Sequence, residues 1–266
     1  MWIDAHAHLD LYGDALEAVL AEIEQHHIFT VSNSMDLESH QRNLRIAEAS
    51  DWVLPIFGVH PWKAPEHIHH LDDLSDAVEQ SPMLGEIGLD HHFVEDASQY
   101  PAQRTVFDFL LAAAKEQGKV VNLHTKGAER EVLHLLEAYD IQRAIVHWYS
   151  GTLDVFHELL ARGTLFTVGV ELLYSKHIQT IARELPWEHL LTETDNPGGP
   201  RSLIGGPGMP LLIRDVLQAL AELRNTAMET IVQTVEHNFA RLISDDPWQS
   251  ETYDKLWPGQ QRGKRL

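Results

Sequence analysis

Short runs rich in apolar and β-branched residues recur along the chain, each ending in polar residues and each followed by a stretch of helical periodicity. Eight such runs are present, over residues 2–8, 28–34, 53–60, 83–90, 120–125, 143–148, 165–170 and 189–195. Between them, residues 15–25 carry apolar positions at Leu16, Val19, Leu20 and Ile23, and residues 103–117 repeat Val106, Phe107, Leu110 and Leu111. Gly118 stands where a glycine would end that helix. Residues 131–138, 153–161, 178–183 and 210–223 continue the alternation, and a last helix is expected over 226–243. Strict alternation of strand and helix calls for a parallel sheet, and eight repeats suit closure into an α/β fold of the (β/α)8 TIM-barrel type. The rival, a doubly wound sheet, normally has fewer strands or a glycine-rich loop after the first strand. Here that strand ends in Asp4-Ala5-His6-Ala7-His8, without glycine. One barrel domain is therefore expected over residues 1–244. From residue 245 to 266 the apolar period is lost, and a surface-hugging or frayed tail is expected.

Composition narrows the chemistry. The chain has 266 residues, 40 Asp and Glu against 20 Lys and Arg, a formal net charge of -20, and no cysteine. Without cysteine there is no disulfide framework, iron–sulfur cluster, thiolate-bound zinc or cysteine nucleophile. The start of the chain has neither a basic nor an apolar leader segment, and no apolar run reaches the ~18 residues a membrane span needs, so a cytoplasmic protein without a membrane partner is expected. The acidic balance argues against a broad basic surface for gripping duplex DNA. It leaves room for a phosphate met by cations inside a cavity. Histidine is over-represented, at 18 residues, roughly three times an ordinary share of about 2%.

The positions of the histidines and carboxylates matter more than their number. In a (β/α)8 barrel the active site gathers at the C-terminal ends of the strands. His6 and His8 close the first run and, two apart, share a face of an extended strand. Glu86 lies in the fourth run, His124 ends the fifth, His147 the sixth and Asp195 the eighth. Four imidazoles and two carboxylates converging on one mouth call for cations. One zinc takes three protein ligands and a water, so six ligands suit two divalent ions. The expected division gives His6, His8 and Asp195 to one ion and His124 and His147 to the other, with Glu86 bridging. Glu86 and Asp195 are the candidate catalytic groups, with Asp195 accepting a proton from the attacking water.

Asp4-x-His6-x-His8-Leu9-Asp10, Gly58-Val59-His60-Pro61, Gly85-Glu86-Ile87-Gly88-Leu89-Asp90, His124-x-Lys126, His147-x-x-Ser150-Gly151 and Glu193-Thr194-Asp195-x-Pro197 occur in that order. This series resembles the signature of the TatD family, metal-dependent hydrolases and DNases of the amidohydrolase superfamily. The resemblance runs from residue 1 to about 243. It implies a TIM barrel, two divalent ions, and hydrolysis of phosphodiesters in DNA ends or single strands, often from a 3′ end. It supports His6, His8, Glu86, His124, His147 and Asp195 as ligands, and places His60 beside the substrate phosphate. Histidine ligands favour Zn or Mn by softness, whereas nuclease relatives often use Mg.

The chain departs from the family at three places. Lys126 stands where arginine is usual, giving a point charge instead of a bidentate fork. Residues 91–93 read His-His-Phe, and the loop over 198–210 is rich in Gly and Pro with Arg201 as its one basic residue. Lys126, His91 and Trp148 join His60 as expected substrate contacts, with Trp148 able to stack on a base. Glu193, two residues before Asp195, is expected one layer deeper, orienting a ligand histidine. His26, His27 and the cluster His67, His69 and His70 are read as structural or exposed, and Ser150 and Ser175 have no partners that would make a nucleophile. A small-molecule amidohydrolase or esterase using the same centre is the alternative, since a barrel does not choose its substrate. A metal-holding subunit is a third reading, which the complete ligand set disfavours. Oligomeric state stays open, with a monomer favoured.

Overall fold

A computed structural model describes residues 1–244, so the expected tail lies outside the described residues. Eight parallel strands follow one another: β1 (Trp2–Ala7), β2 (Ile28–Ser32), β3 (Val53–Pro55), β4 (Met83–Gly88), β5 (Val120–His124), β6 (Ala144–Val146), β7 (Leu165–Val168) and β8 (Leu190–Thr192). Two ladders, β1-β2-β3 and β4-β5-β6-β7-β8, account for most of the pairing. Phe57 bridges to Leu84 between β3 and β4. The second seam is closed by backbone bonds from Asp195 N to His6 O (2.9 Å) and from His8 N to Asn196 O (2.7 Å). The expected TIM barrel is thus the fold observed.

The helices are α1 (Leu16–His26), α2 (Leu37–Ala49), α3 (Ala64–His67), α4 (Ser75–Gln80), α5 (Tyr100–Gln117), α6 (Glu129–Ala138), α7 (Leu153–Ala161), α8 (Lys176–Glu184), α9 (Arg201–Ile204), α10 (Leu212–Leu223) and α11 (Met228–Ile243). Gly118 ends α5 with φ 64°, and Lys119 N caps it by donating to Ala114 O at 2.9 Å. The α5 face carrying Val106, Phe107, Leu110 and Leu111 is buried against the sheet. No helix among the described residues is long and apolar enough to cross a membrane.

The pattern missed α2, for a physical reason. Its inward face is mostly polar: Ser39, His40 and Asn43 are buried beside Ile46. Asp36 starts it by accepting from Ser39 N at 2.8 Å. Asn43 then accepts from Ser32 Oγ at 2.7 Å and donates to Asn33 O at 3.1 Å. Helix and sheet are joined there by hydrogen bonds that a hydrophobic periodicity does not register.

The strands end earlier than their apolar runs. β3 stops at Pro55, β6 at Val146 and β8 at Thr192, so His60, His147 and Asp195 stand beyond the ladders instead of within them. Backbone conformation explains two of these exits: Trp148 has φ 40° and Asp195 has φ 52°, left-handed values incompatible with an extended strand. Gly88 (φ 146°) lets β4 press against β5, since a Cβ there would overlap the carbonyl oxygen of His124.

Candidate metal centre

The barrel brings His6, His8, Glu86, His124, His147 and Asp195 into one cluster at the C-terminal ends of the strands. Glu86 is its hub. Its Oε1 lies 2.6 Å from His124 Nδ1, 2.7 Å from His147 Nε2 and 3.4 Å from His60 Nε2. Its Oε2 lies 3.2 Å from His8 Nε2 and 3.4 Å from His6 Nε2. Burial works against the charge on Glu86, but the surrounding His60, His147 and His6 hold its carboxyl well below the usual carboxylate range.

The first donor group consists of His6 Nε2, His8 Nε2, Glu86 Oε2 and Asp195 Oδ1. The histidines are 3.3 Å apart, and Asp195 Oδ1 is 3.8 Å from His6 and 3.5 Å from His8. A tetrahedron of donors about 2.0–2.1 Å from a cation has edges of about 3.3–3.4 Å, which these spacings approach. The tautomer of His6 is set from behind. Asn122 Nδ2 donates to Ala5 O at 2.9 Å, which orients its Oδ1 to accept from His6 Nδ1 at 3.2 Å. The Nε2 lone pair therefore faces the cluster.

The second group is His124 Nδ1, His147 Nε2 and Glu86 Oε1, with the two ring nitrogens 3.3 Å apart. His124 Nε2 donates to Asp90 Oδ2 at 2.9 Å, which leaves Nδ1 free to face inward. Burial would raise the Asp90 carboxyl, but His124, the Phe93 N–H and the Trp62 indole hold it well below its usual range. Behind His147, Glu193 Oε2 sits 3.5 Å from Nδ1, an ion-pair distance without hydrogen-bond geometry, while Glu193 Oε1 accepts from Trp148 N at 2.9 Å. Burial opposes a proton on His147, but Glu86 and Glu193 raise it to about 10.

Lone pairs facing each other at 3.3 Å across two histidine pairs require protons or cations between them. The imidazole and carboxylate donors, with outer nitrogens already directed to Asn122 and Asp90, fit divalent metal ions. Three groups of donor atoms come within 4.8 Å of one another: His6 with Glu86 and His147; His6 with His8 and Asp195; and His60 with Glu86 and His124. The third is disfavoured by hydrogen bonding. His60 Nδ1 accepts from Trp62 N at 3.2 Å, so the proton of the neutral ring sits on Nε2, which is then a donor and not a ligand. Burial keeps that ring neutral, lowering it to about 4 despite Glu86.

The cluster opens into a cavity of about 1130 Å³. His60, Lys126 and Trp148, three of the residues read from the sequence as substrate contacts, line it. Lys126 is held in place: its Nζ donates to Trp148 O at 2.7 Å and Ser150 Oγ at 2.8 Å, and burial lowers its pKa. The Trp148 indole bonds to Glu171. His91 departs from expectation. It stacks on Tyr100 with ring centroids 3.8 Å apart and gives its N–H to Lys126 O, whereas its neighbour His92 lines the cavity. The chain has left β4 by then, so alternation no longer sets the side of each residue. Sequence reasoning gave no role to Asp90, Asn122 or Trp62. For Asn122 a signal existed: it lies two residues before His124, hence on the same face one layer down, as Glu193 does below Asp195.

The sequence profile described as TatD related DNase matches residues 3–244. The chain belongs to this family. TatD-family similarity extends to a Bacillus subtilis protein named uncharacterized metal-dependent hydrolase YabD, 28% identical over 91% of this chain and 99% of its own length. A human protein named deoxyribonuclease TATDN3 is 24% identical over 91% of this chain and 94% of its own. Among solved structures, the TatD homologue YjjV from Escherichia coli superposes with a TM-score of 0.84 at 28% identity, covering 91% of this chain and 97% of that one. The chain is accordingly a metal-dependent hydrolase of the TatD family built on a TIM barrel.

Proposed function

We propose that this hydrolase cleaves phosphodiester bonds, as a deoxyribonuclease acting on DNA ends or single strands, with two divalent ions (Zn, Mn or Mg) per chain. The observation that carries the reading is Glu86, whose two carboxylate oxygens face two separate groups of histidines. In this reading His6, His8 and Asp195 hold one ion, His124 and His147 the other, and Glu86 both, within one barrel domain over residues 1–244. Bound there, divalent ions supply the positive charge that neutralises a phosphate and makes water acidic enough to attack it.

The remaining steps fall to side chains of the cavity. Asp195, partly exposed in the mouth, accepts the proton of the attacking water. His60, which lines the cavity with its Nε2 3.4 Å from Glu86 Oε1, offers the phosphate a neutral N–H donor, because its Nδ1 accepts from the Trp62 backbone N–H. The Lys126 ammonium adds a fixed charge beside Trp148. Glu193 and Asp90 hold His147 and His124 from behind.

A small-molecule ester or amide substrate is a second reading, favoured by one observation. Among the described residues the mouth has no positive collar: Lys126 is engaged by Trp148 and Ser150, and Arg130 by Asp154 and Glu158. The deciding experiment incubates protein loaded with Zn²⁺, Mn²⁺ or Mg²⁺ with single-stranded DNA and with a panel of neutral esters and amides. Metal-dependent release of nucleotides supports the nuclease; turnover of neutral substrates alone replaces it with the second reading.

A further inference from the structure

Large apolar side chains in water concentrate on one face of this barrel. Among the described residues, Trp62 is 48% exposed, Phe93 59% and Tyr174 50%, and all three line the cavity that holds the histidine–carboxylate cluster. An exposed aromatic grouping of this kind on a chain of net charge -20 marks a contact surface. Trp62 follows β3 and Phe93 follows β4, and their rings meet edge to face with centroids 6.2 Å apart. Tyr174 follows β7, which lies across an eight-stranded barrel from β3. Flat rings therefore stand on opposite sides of the mouth. Trp62 is fixed in place, its indole N–H donating to Asp90 Oδ2 at 2.7 Å and its ring packed on His60 at 4.7 Å.

We propose that Trp62 and Phe93 on one side and Tyr174 on the other form a base-stacking clamp, which takes the unpaired nucleobases next to the scissile phosphate. The inference rests on the phosphodiesterase reading and specifies what the enzyme grips. A nucleic acid can be held by its phosphates or by its bases. The phosphate route is weak here, since Lys126 and Arg130, the Lys and Arg lining the cavity among the described residues, are engaged and Glu129 and Glu171 share the lining. Stacking needs no charge, tolerates any base, and requires bases whose faces are free, which a paired duplex does not offer. The clamp therefore selects single strands and frayed ends, and its grip changes little with salt.

The test uses metal-loaded protein and a short single-stranded oligodeoxynucleotide, beside the same oligonucleotide with abasic residues at its three terminal positions at each end. Rates of cleavage and quenching of tryptophan fluorescence on titration are both read. Wild type should prefer the base-bearing strand by about tenfold or more, and the preference should collapse toward unity in Phe93→Ala/Tyr174→Ala, half-exposed positions whose truncation spares the core. Equal treatment of the two strands by wild type, or a preference undiminished in the double variant, overturns the clamp while leaving the nuclease intact. If neither strand is cleaved, the nuclease reading fails. Quenching by the base-bearing strand alone then still supports the clamp, and no difference in quenching overturns it.

Discussion

Asp90→Asn changes one atom of a carboxylate that no substrate needs to touch, and it should either lower stability or weaken a cation held by His124 and His147. The Asp90 carboxylate accepts four N–H bonds. Oδ2 receives His124 Nε2 at 2.9 Å and Trp62 Nε1 at 2.7 Å, while Oδ1 receives the backbone of His92 at 2.9 Å and of Phe93 at 2.7 Å. An amide must place its NH₂ against one of those pairs. Facing the backbone pair, it leaves two N–H groups without an acceptor, at about 1–3 kcal/mol each. Facing the other pair, it leaves the Trp62 indole N–H without an acceptor and drives the His124 proton to Nδ1, the nitrogen that points at Glu86 and His147. The first outcome lowers stability by about 2–6 kcal/mol. The second weakens the cation by about 10- to 100-fold, the usual effect of removing such a partner behind a ligand. Chelator competition for Zn²⁺ or Mn²⁺, run beside urea unfolding, separates the two. A variant within about threefold of wild-type affinity and about 0.5 kcal/mol of its stability would refute the role assigned to Asp90.

Glu86→Gln should preserve the fold yet lower hydrolysis at least about 100-fold, since the charge shared by both donor groups is lost; a rate within about threefold of wild type, under ~0.7 kcal/mol, counts against the bridge. Lys126→Ala should raise KM for phosphodiesters more than it lowers kcat, by about 1.5–3 kcal/mol of binding, and should leave a neutral ester almost untouched; steady-state kinetics on both substrates decide. His40 gives a pH prediction remote from the ligands. Burial lowers it to about 4 in the folded chain, against 6.5 unfolded. The unfolded state then binds more protons between those values, so this contribution to stability is present above pH 6.5 and is lost as pH falls toward 4, up to about 3 kcal/mol. Urea unfolding of the chelated protein should show a smaller loss between pH 7 and pH 4.5 for His40→Asn than for wild type, and parallel losses would contradict it.

The barrel was legible because its strands are buried on both faces and interrupted at regular intervals by amphipathic helices. The six clustered side chains were legible because five stand at or near the C-terminal ends of such runs, and Glu86 is a lone carboxylate inside the apolar fourth run. What escaped was set by contacts between distant segments. Asp90 closes its run as His147 does, and only the fold shows it behind His124 instead of beside it. The difference between His91 and His92 depends on a bend after β4, where no periodicity survives. α2 was hidden because Ser39, His40 and Asn43 dock by hydrogen bonds, so its buried face reads as a surface.

The barrel closes through the same residues that gather around Glu86. Asp195 N bonds to His6 O, His8 N to Asn196 O, and Thr192 Oγ1 to Ile3 O across 189 positions of sequence. Contacts at such separation carry the largest loop-closure entropy, and they form only once the intervening chain is arranged. A cation held by His6, His8 and Asp195, as proposed, would clasp the first strand to the last at that seam. Its free energy of binding then counts toward keeping the ring shut. On that reading the lifetime of the folded barrel is coupled to the supply of metal, and removing the ion would cost the enzyme its fold as well as its activity.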